Sequence, residues 1–155
     1  LFLIKKHFEK GRMMMSREIA RETYRAHNMK ATPQRLAVVD ELVGDISHPT
    51  ADEIARRVMA KMQGVSLSTI YKTLNELVDL GLVKRLEGRG NGNEAAHFDP
   101  HTNFHGHVHC KKCGRIVDFE ISDGYKDGIA KVEKALAVEI ESMHVEFVGK
   151  CRTCQ

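Results

Sequence analysis

Apolar and polar positions alternate with a helical period through the front half of the chain. Between Ser16 and Ala26, Ile19, Ala20 and Tyr24 share one side while Arg17, Arg21 and Arg25 share the other, and Asn28 suits the end of such a helix. Thr32-Pro33-Gln34-Arg35 has the form of an N-cap followed by proline in the first turn, and Leu36, Val39 and Leu42 then recur at helical spacing. Beyond Gly44, Thr50 and Glu53 stand three apart, as a capping box requires, ahead of the stripe Ile54, Val58 and Met62. Gly64 closes that helix. Ser66-Leu67-Ser68-Thr69 opens a fourth, whose buried face is Ile70, Leu74, Leu77 and Leu80 and whose end is Gly81.

The outward face of the fourth helix carries Thr69, Tyr71, Lys72 and Asn75, polar side chains that suit phosphates and base edges in a major groove. Leu82–Leu86, a turn over Gly88-Arg-Gly-Asn-Gly-Asn93 and Glu94–Phe98 predict a hairpin behind it, as in a winged helix. The pattern then changes. Arg115–Ile121 alternates as a strand, Tyr125–Ala137 has helical spacing through Ile129, Val132 and Leu136, and Val138–Val148 reads as one or two further strands. The expected fold is α+β: an N-terminal winged-helix DNA-binding domain followed by a small α/β dimerisation domain with a four-cysteine zinc site. The expected boundaries are 1–15 for a leader, tag remnant or arm, 16–98 for the winged helix with a hinge near 95–100, and 99–155 for the metal-binding dimerisation domain.

Composition changes this picture little. With 42% apolar and 29% charged residues, the chain belongs to the globular class. No apolar run reaches the length of a membrane span, and the opening Leu-Phe-Leu-Ile-Lys-Lys-His-Phe is too short for a secretory signal, which predicts a cytoplasmic protein with no membrane partner. The net charge of +3 divides into +5 up to Arg85 and −2 beyond it, a bias toward nucleic acid in the front half.

The cysteines change it more. All 4 fall in two pairs, Cys110-Lys-Lys-Cys113 and Cys151-Arg-Thr-Cys154, separated by 37 residues. Two such knuckles complete the tetrahedral thiolate shell of a structural zinc site, and a reducing compartment disfavours the rival disulfide and redox readings. A domain this small needs that staple, and it needs a second copy to cover its remaining apolar face, which predicts a homodimer.

Five of the 9 histidines crowd into the stretch from His97 to His109. On a strand His105 and His107 face the same way and can share an ion, with Asp99 and Asp118 as oxygen donors. Such a shell suits Fe(II), Mn(II) or Zn(II). His97, His101 and His109 are open as further ligands, whereas His7, His27 and His144 read as solvated or structural.

Lys30-Ala-Thr-Pro-Gln-Arg35, His48-Pro-Thr-Ala-Asp-Glu53, Ser68-Thr-Ile-Tyr-Lys-Thr-Leu74, Gly81-Leu-Val, His105-Gly-His-Val-His-Cys-Lys-Lys-Cys-Gly114 and the closing Cys-x-x-Cys stand in this order. From about Ser16 to Cys154 the chain closely resembles the ferric uptake regulator family, and within it the peroxide-responsive branch. The resemblance implies a metal-dependent repressor of double-stranded operator DNA. It also implies a regulatory Fe(II) or Mn(II) held by His48, Asp99, His105, His107 and Asp118, beside the structural zinc of Cys110, Cys113, Cys151 and Cys154. His48 and His105 are then the histidines open to oxidation by hydrogen peroxide. Lys30, Arg35, Ser68, Thr69, Tyr71 and Lys72 are the expected DNA contacts.

Aspartate at 99 and 118, where the iron-uptake branch commonly has glutamate, tilts the resemblance toward peroxide sensing. The alternative within the family is a repressor that senses the level of iron, zinc or manganese. His109 and His101 depart from the family pattern, and Phe104 and Gly106 stand where the iron-uptake branch often carries a further ligand, which argues against a third metal site. An enzyme is not expected, and no small organic substrate either: neither a HExxH motif nor the full deaminase signature, His-x-Glu with Pro-Cys-x-x-Cys, accompanies the histidines. A zinc-ribbon adaptor is the remaining rival, and it would bind no DNA.

Overall fold

The computed structural model describes residues 15–88, 95–140 and 143–155. The expected leader, except Met15, and most of the expected wing turn lie outside the described residues. The chain forms two compact units, 15–88 with 95–103 and 104–140 with 143–155.

The first unit begins with four helices, each started by a side chain that accepts from an amide three residues ahead. Ser16 caps α1 (Arg17–Ala26), Thr32 caps α2 (Pro33–Leu42), Thr50 caps α3 (Ala51–Lys61) and Ser66 caps α4 (Leu67–Asp79). At Thr50 the box is complete: Glu53 Oε2 accepts from the Thr50 amide at 2.8 Å while Thr50 Oγ1 accepts from the Glu53 amide at 3.3 Å. That donation holds the Glu53 carboxyl below its usual range. Gly81, at φ +69°, supplies the left-handed residue after α4 that a β-carbon would oppose.

The helices close on one core that includes Tyr24, Val39, Leu42, Ile54, Val58, Ile70, Leu74 and Leu77. Each fully buried aliphatic side chain there contributes about 1.5–3 kcal/mol. Strands β1 (Lys84–Leu86) and β2 (His97–Asp99) pair antiparallel, with Lys84 opposite Asp99, and Leu82, Val83 and Phe98 join the helical core. The hairpin strands are three residues each; Glu94 lies outside the described residues, and Ala95 and Ala96 are not strand.

Unit two is a three-stranded sheet with one helix. Strand β3 (Gly106–Cys110) pairs antiparallel with β4 (Ile116–Phe119) and parallel with β5 (Glu146–Gly149). Helix α5 (Gly124–Leu136) lies between β4 and β5 in the chain, because a parallel pair needs a crossover. The strand expected over 115–121 is limited to Ile116–Phe119, since Gly114 at φ +75° belongs to the knuckle turn before it. Of the one or two strands expected over 138–148, one, β5, forms among the described residues, and it is displaced to 146–149, the stretch that finds a partner on β3.

Gly106 stands opposite Phe119, and a β-carbon on it would lie 2.2 Å from the ring of Phe119. That ring stacks on Phe147 with centroids 5.4 Å apart. A ligand side chain at 106 would have to displace this aromatic layer.

Candidate metal centres and nucleic-acid interface

The two cysteine knuckles meet at the end of the sheet in the second unit. Cys110 ends β3, a turn carries Cys113, and β5 runs parallel to β3 so that Cys151 arrives beside Cys110. The four sulfurs all lie within 4.8 Å of one another, and none is in a disulfide. Cys113 Sγ and Cys151 Sγ are 3.7 Å apart. Two sulfurs on one tetrahedral zinc, with bonds of about 2.3 Å, lie about 3.8 Å apart.

The electrostatics fit the same ion. The Cys151 amide donates to Cys110 Sγ at 3.3 Å, and with other backbone donors this holds the Cys110 thiol down to about 5. Cys154 is pushed up to about 12, first by its hydrogen bond with Cys151, then by burial and the neighbouring thiols. One thiol is thus held toward the thiolate while its neighbour is held toward the thiol, and a cation among the four sulfurs would favour the ionised form of all of them.

His105, His107 and Asp118 converge within the same unit. His107 lies opposite Asp118 in the β3–β4 register, and His105 stands two residues before it, just ahead of the strand. Asp118 Oδ1 is 3.5 Å from His107 Nε2 and 3.6 Å from His105 Nε2, and the two rings meet edge-on at 4.5 Å. Donors on one ion with bonds of about 2.1 Å lie roughly 3.0–3.4 Å apart, so the spacing is near that of a coordinated set. Two imidazoles and one carboxylate are also the facial set of non-haem Fe(II).

His48 and Asp99 meet within the first unit. The loop before α3 lies along β2: the Phe98 amide donates to Pro49 O at 2.9 Å, Thr50 bridges His97, and His97 Nδ1 donates to His48 O at 2.6 Å. This brings His48 Nε2 to 4.0 Å from Asp99 Oδ1, with both side chains almost fully buried. His48 has φ +52°, rare for a residue with a β-carbon and a frequent mark of functional sites. Among the described residues, no converging group of three or more ligands includes His97, His101 or His109. His97 uses Nδ1 on His48, the His101 amide donates to Asp99 Oδ1 at 2.7 Å, and His109 is fully buried on β3.

On α4, Ser68, Tyr71 and Lys72 are exposed and Thr69 is half-buried; Lys30, before α2, is exposed too. The Tyr71 hydroxyl donates to Asp52 Oδ1 at 2.5 Å, which raises its pKa. Arg35 has a different setting from the others. Its Nε and Nη2 donate to the two oxygens of Glu76 at 2.8 Å each, Nη1 donates to Lys30 O at 2.6 Å, and the guanidinium lies over the Tyr24 ring. It ties α2 to α4.

A groove of about 570 Å3 opens beside α1, where Arg21, Arg25, Asn28 and Lys30 surround Met29 and Leu36. Arg17, Arg35, Arg57 and Lys61 are each paired with a carboxylate, whereas Arg21, Arg25 and Lys30 have no carboxylate partner among the described residues. Sequence reading placed Arg21 and Arg25 on the polar side of α1 without a role. Their spacing of four, one helical turn, was the available signal.

No helix among the described residues is long and apolar enough to cross a membrane. A family model described as the ferric uptake regulator family matches residues 26–148. The chain is 34% identical to the peroxide-responsive repressor PerR of Staphylococcus epidermidis over 132 residues, covering 84% of this chain and 85% of that one. It is also 34% identical to the peroxide operon regulator of Bacillus subtilis, covering 87% and 90%. Among solved structures, the Campylobacter jejuni peroxide stress regulator is 31% identical with a TM-score of 0.68, covering 86% of this chain and 97% of that one. The Helicobacter pylori ferric uptake regulator, described as having three functional metal binding sites, shares the fold with a TM-score of 0.75 at 22% identity, covering 94% and 97%. By this match, and by identity along most of its length, the chain belongs to the ferric uptake regulator family.

Proposed function

We propose that this protein is a cytoplasmic, homodimeric repressor of operator DNA that holds a structural zinc in its cysteine shell, senses hydrogen peroxide through a regulatory Fe(II), and is released from DNA when that metal is lost. One observation carries the reading: each unit holds part of a mixed nitrogen and oxygen shell, His48 with Asp99 in one and His105, His107 and Asp118 in the other. Neither part alone fills the coordination of Fe(II) or Mn(II). An ion shared by the two parts ties the DNA-reading unit to the dimerising unit, so DNA affinity follows metal occupancy. The similarity of this chain to the peroxide regulators named above supports the peroxide reading.

Bound Fe(II) would supply the redox chemistry that splits hydrogen peroxide, one oxygen atom going to an imidazole carbon and the other leaving as water, whereas Mn(II) would occupy the shell without that reaction. The residues do the rest. His48 and His105 would present imidazoles to that centre, and the C2 carbon of either one would take up the oxygen atom to give 2-oxo-histidine, a weaker ligand. Buried side chains around His48, Asp99 and His107 limit access by water and larger oxidants. A second copy covers the apolar residues that the second unit leaves exposed, Val117, Phe147 and Val148 on the sheet and Val132 and Leu136 on α5.

DNA is read by Ser68, Thr69, Tyr71 and Lys72 on α4, with Lys30 on the backbone, while Arg35 supports α4 through Glu76. The α1 groove adds phosphate contacts from Arg21 and Arg25. Replacing both arginines with glutamine is therefore expected to weaken binding equally on operator and unrelated DNA, and to reduce the slope of log K against log salt by about 1.8. An unchanged slope in the salt titration assigns these cations to solvent alone.

The deciding experiment loads the zinc protein with Fe(II) or Mn(II), adds hydrogen peroxide, and reads peptide masses and operator binding together. The iron form is expected to gain the mass of one oxygen atom on the His48 or His105 peptide and to release DNA, and the manganese form to do neither. Unmodified peptides with metal-dependent DNA binding in both forms would leave a repressor that senses metal level.

A further inference from the structure

We propose that His97 is a positioning residue, a side-chain clamp that holds the His48 backbone in the conformation needed to aim its imidazole at Asp99. The inference rests on the reading of His48 as a regulatory ligand, and it assigns a role to a histidine that otherwise looks like a spare ligand.

His48 is unfavourably placed by its local sequence. Its φ of +52° is left-handed, which opposes the β-carbon, and the residue before a proline is driven toward extended backbone, yet Pro49 follows it. Such a conformation persists only where the surroundings over-determine it. Upstream, the Ser47 amide donates to Asp45 Oδ1 at 2.7 Å, closing the turn before it. Downstream, Pro49 and Thr50 are held to β2 by the Phe98 amide and by the bridge to His97, backbone contacts available to any sequence. The His48 carbonyl itself is held by a side chain. His97 Nδ1 donates to it at 2.6 Å, and because a carbonyl only accepts, this bond also sets the Nδ1–H tautomer of His97.

Fixing that carbonyl fixes the peptide plane after His48, and with it the direction of the Cα–Cβ bond. His97 stands two residues before Asp99 on the same strand, so the clamp ties both ligands of the first unit to one element. Released, the His48 backbone relaxes toward the extended region that Pro49 favours, and the imidazole turns away from Asp99. Supports of this kind around metal ligands are typically worth about 10- to 100-fold in affinity.

The test uses the full-length zinc-loaded protein with His97→Phe, His97→Asn and, as a reference, His48→Ala. Phenylalanine keeps a ring but donates nothing; the asparagine amide can donate from nearly the same place as Nδ1. Mn(II) affinity is measured by titration, and amide exchange at Thr50 and Phe98 is measured without regulatory metal. We expect His97→Phe to bind Mn(II) about 10- to 100-fold more weakly, with faster exchange at Thr50 and Phe98 and unchanged zinc content, and His97→Asn to regain most of both. Unchanged affinity and exchange in His97→Phe, while His48→Ala loses Mn(II), would overturn the clamp and leave the metal reading standing. Equal loss in both His97 variants with native exchange would make His97 a ligand and not a support. Full Mn(II) affinity in His48→Ala would remove the reading beneath the proposal and the proposal with it.

Discussion

A Cys151→Ser variant is expected to lose bound zinc and to unfold the second unit while the helices of the first stay folded. The second unit has little else to hold it. Among its described residues, the buried side chains are His107, His109, Cys110 and Ile116, and α5 buries none of its residues within the chain. Structural zinc contributes on the order of 10–16 kcal/mol in small domains, as much as the 5–15 kcal/mol by which most whole domains are stable. The parallel pairing of β5 on β3 places Cys151 beside Cys110, so losing the thiolate also loosens the strand that closes the chain. Amide exchange read with zinc content checks this. Native protection across β3, β4 and β5 in zinc-free protein would show that the sheet stands without its metal. The first unit, with its own core from Tyr24 to Phe98, should keep protection in α2 and α4.

Replacing His107 with alanine is expected to abolish the response of operator binding to Mn(II) while leaving zinc content and fold intact. His107 is central among the three side chains that converge in the second unit: it lies on the middle strand, faces Asp118 across the β3–β4 pair and touches the ring of His105. Without it two ligands remain on that side. Coupling between two sites is typically worth about 5- to 150-fold in affinity, and that factor is the expected loss of operator binding at saturating metal in the parent protein. By reciprocity, operator DNA should tighten Mn(II) binding to the parent by the same factor. The salt dependence should not change, since Arg21, Arg25 and Lys30 are untouched. A variant whose DNA affinity still rises with Mn(II) would place the sensing ion elsewhere.

How much of this was readable beforehand differs from element to element. The four helix starts were legible because each is a contact between residues three apart, Ser16 with Ile19, Thr32 with Arg35, Thr50 with Glu53 and Ser66 with Thr69. The core stripes followed from the helical period. The zinc shell was legible from two spacings, since a knuckle is itself a local structure. His105 and His107 could be set on one face because strand side chains alternate.

Arg35 has a setting that its motif does not announce. The guanidinium meets Glu76, 41 residues away, and no local pattern points to that partner. Gly106 reads as a missing ligand in the sequence, whereas its opposite residue, Phe119, is the reason for it.

Capping, periodicity and knuckle spacing depend on neighbours within one turn or one hairpin, so the order of residues alone settled the helices, the cysteine cluster and the family pattern. Which side chains meet across the fold depends on strand register and on where loops dock. Only the folded chain brought His48 to Asp99 along β2, set Asp118 opposite His107, and engaged Arg35 with Glu76 while leaving Arg21 and Arg25 open. The reason is physical: a local hydrogen bond is decided by residues already adjacent, while a contact over 40 or more positions forms only when the whole core selects it.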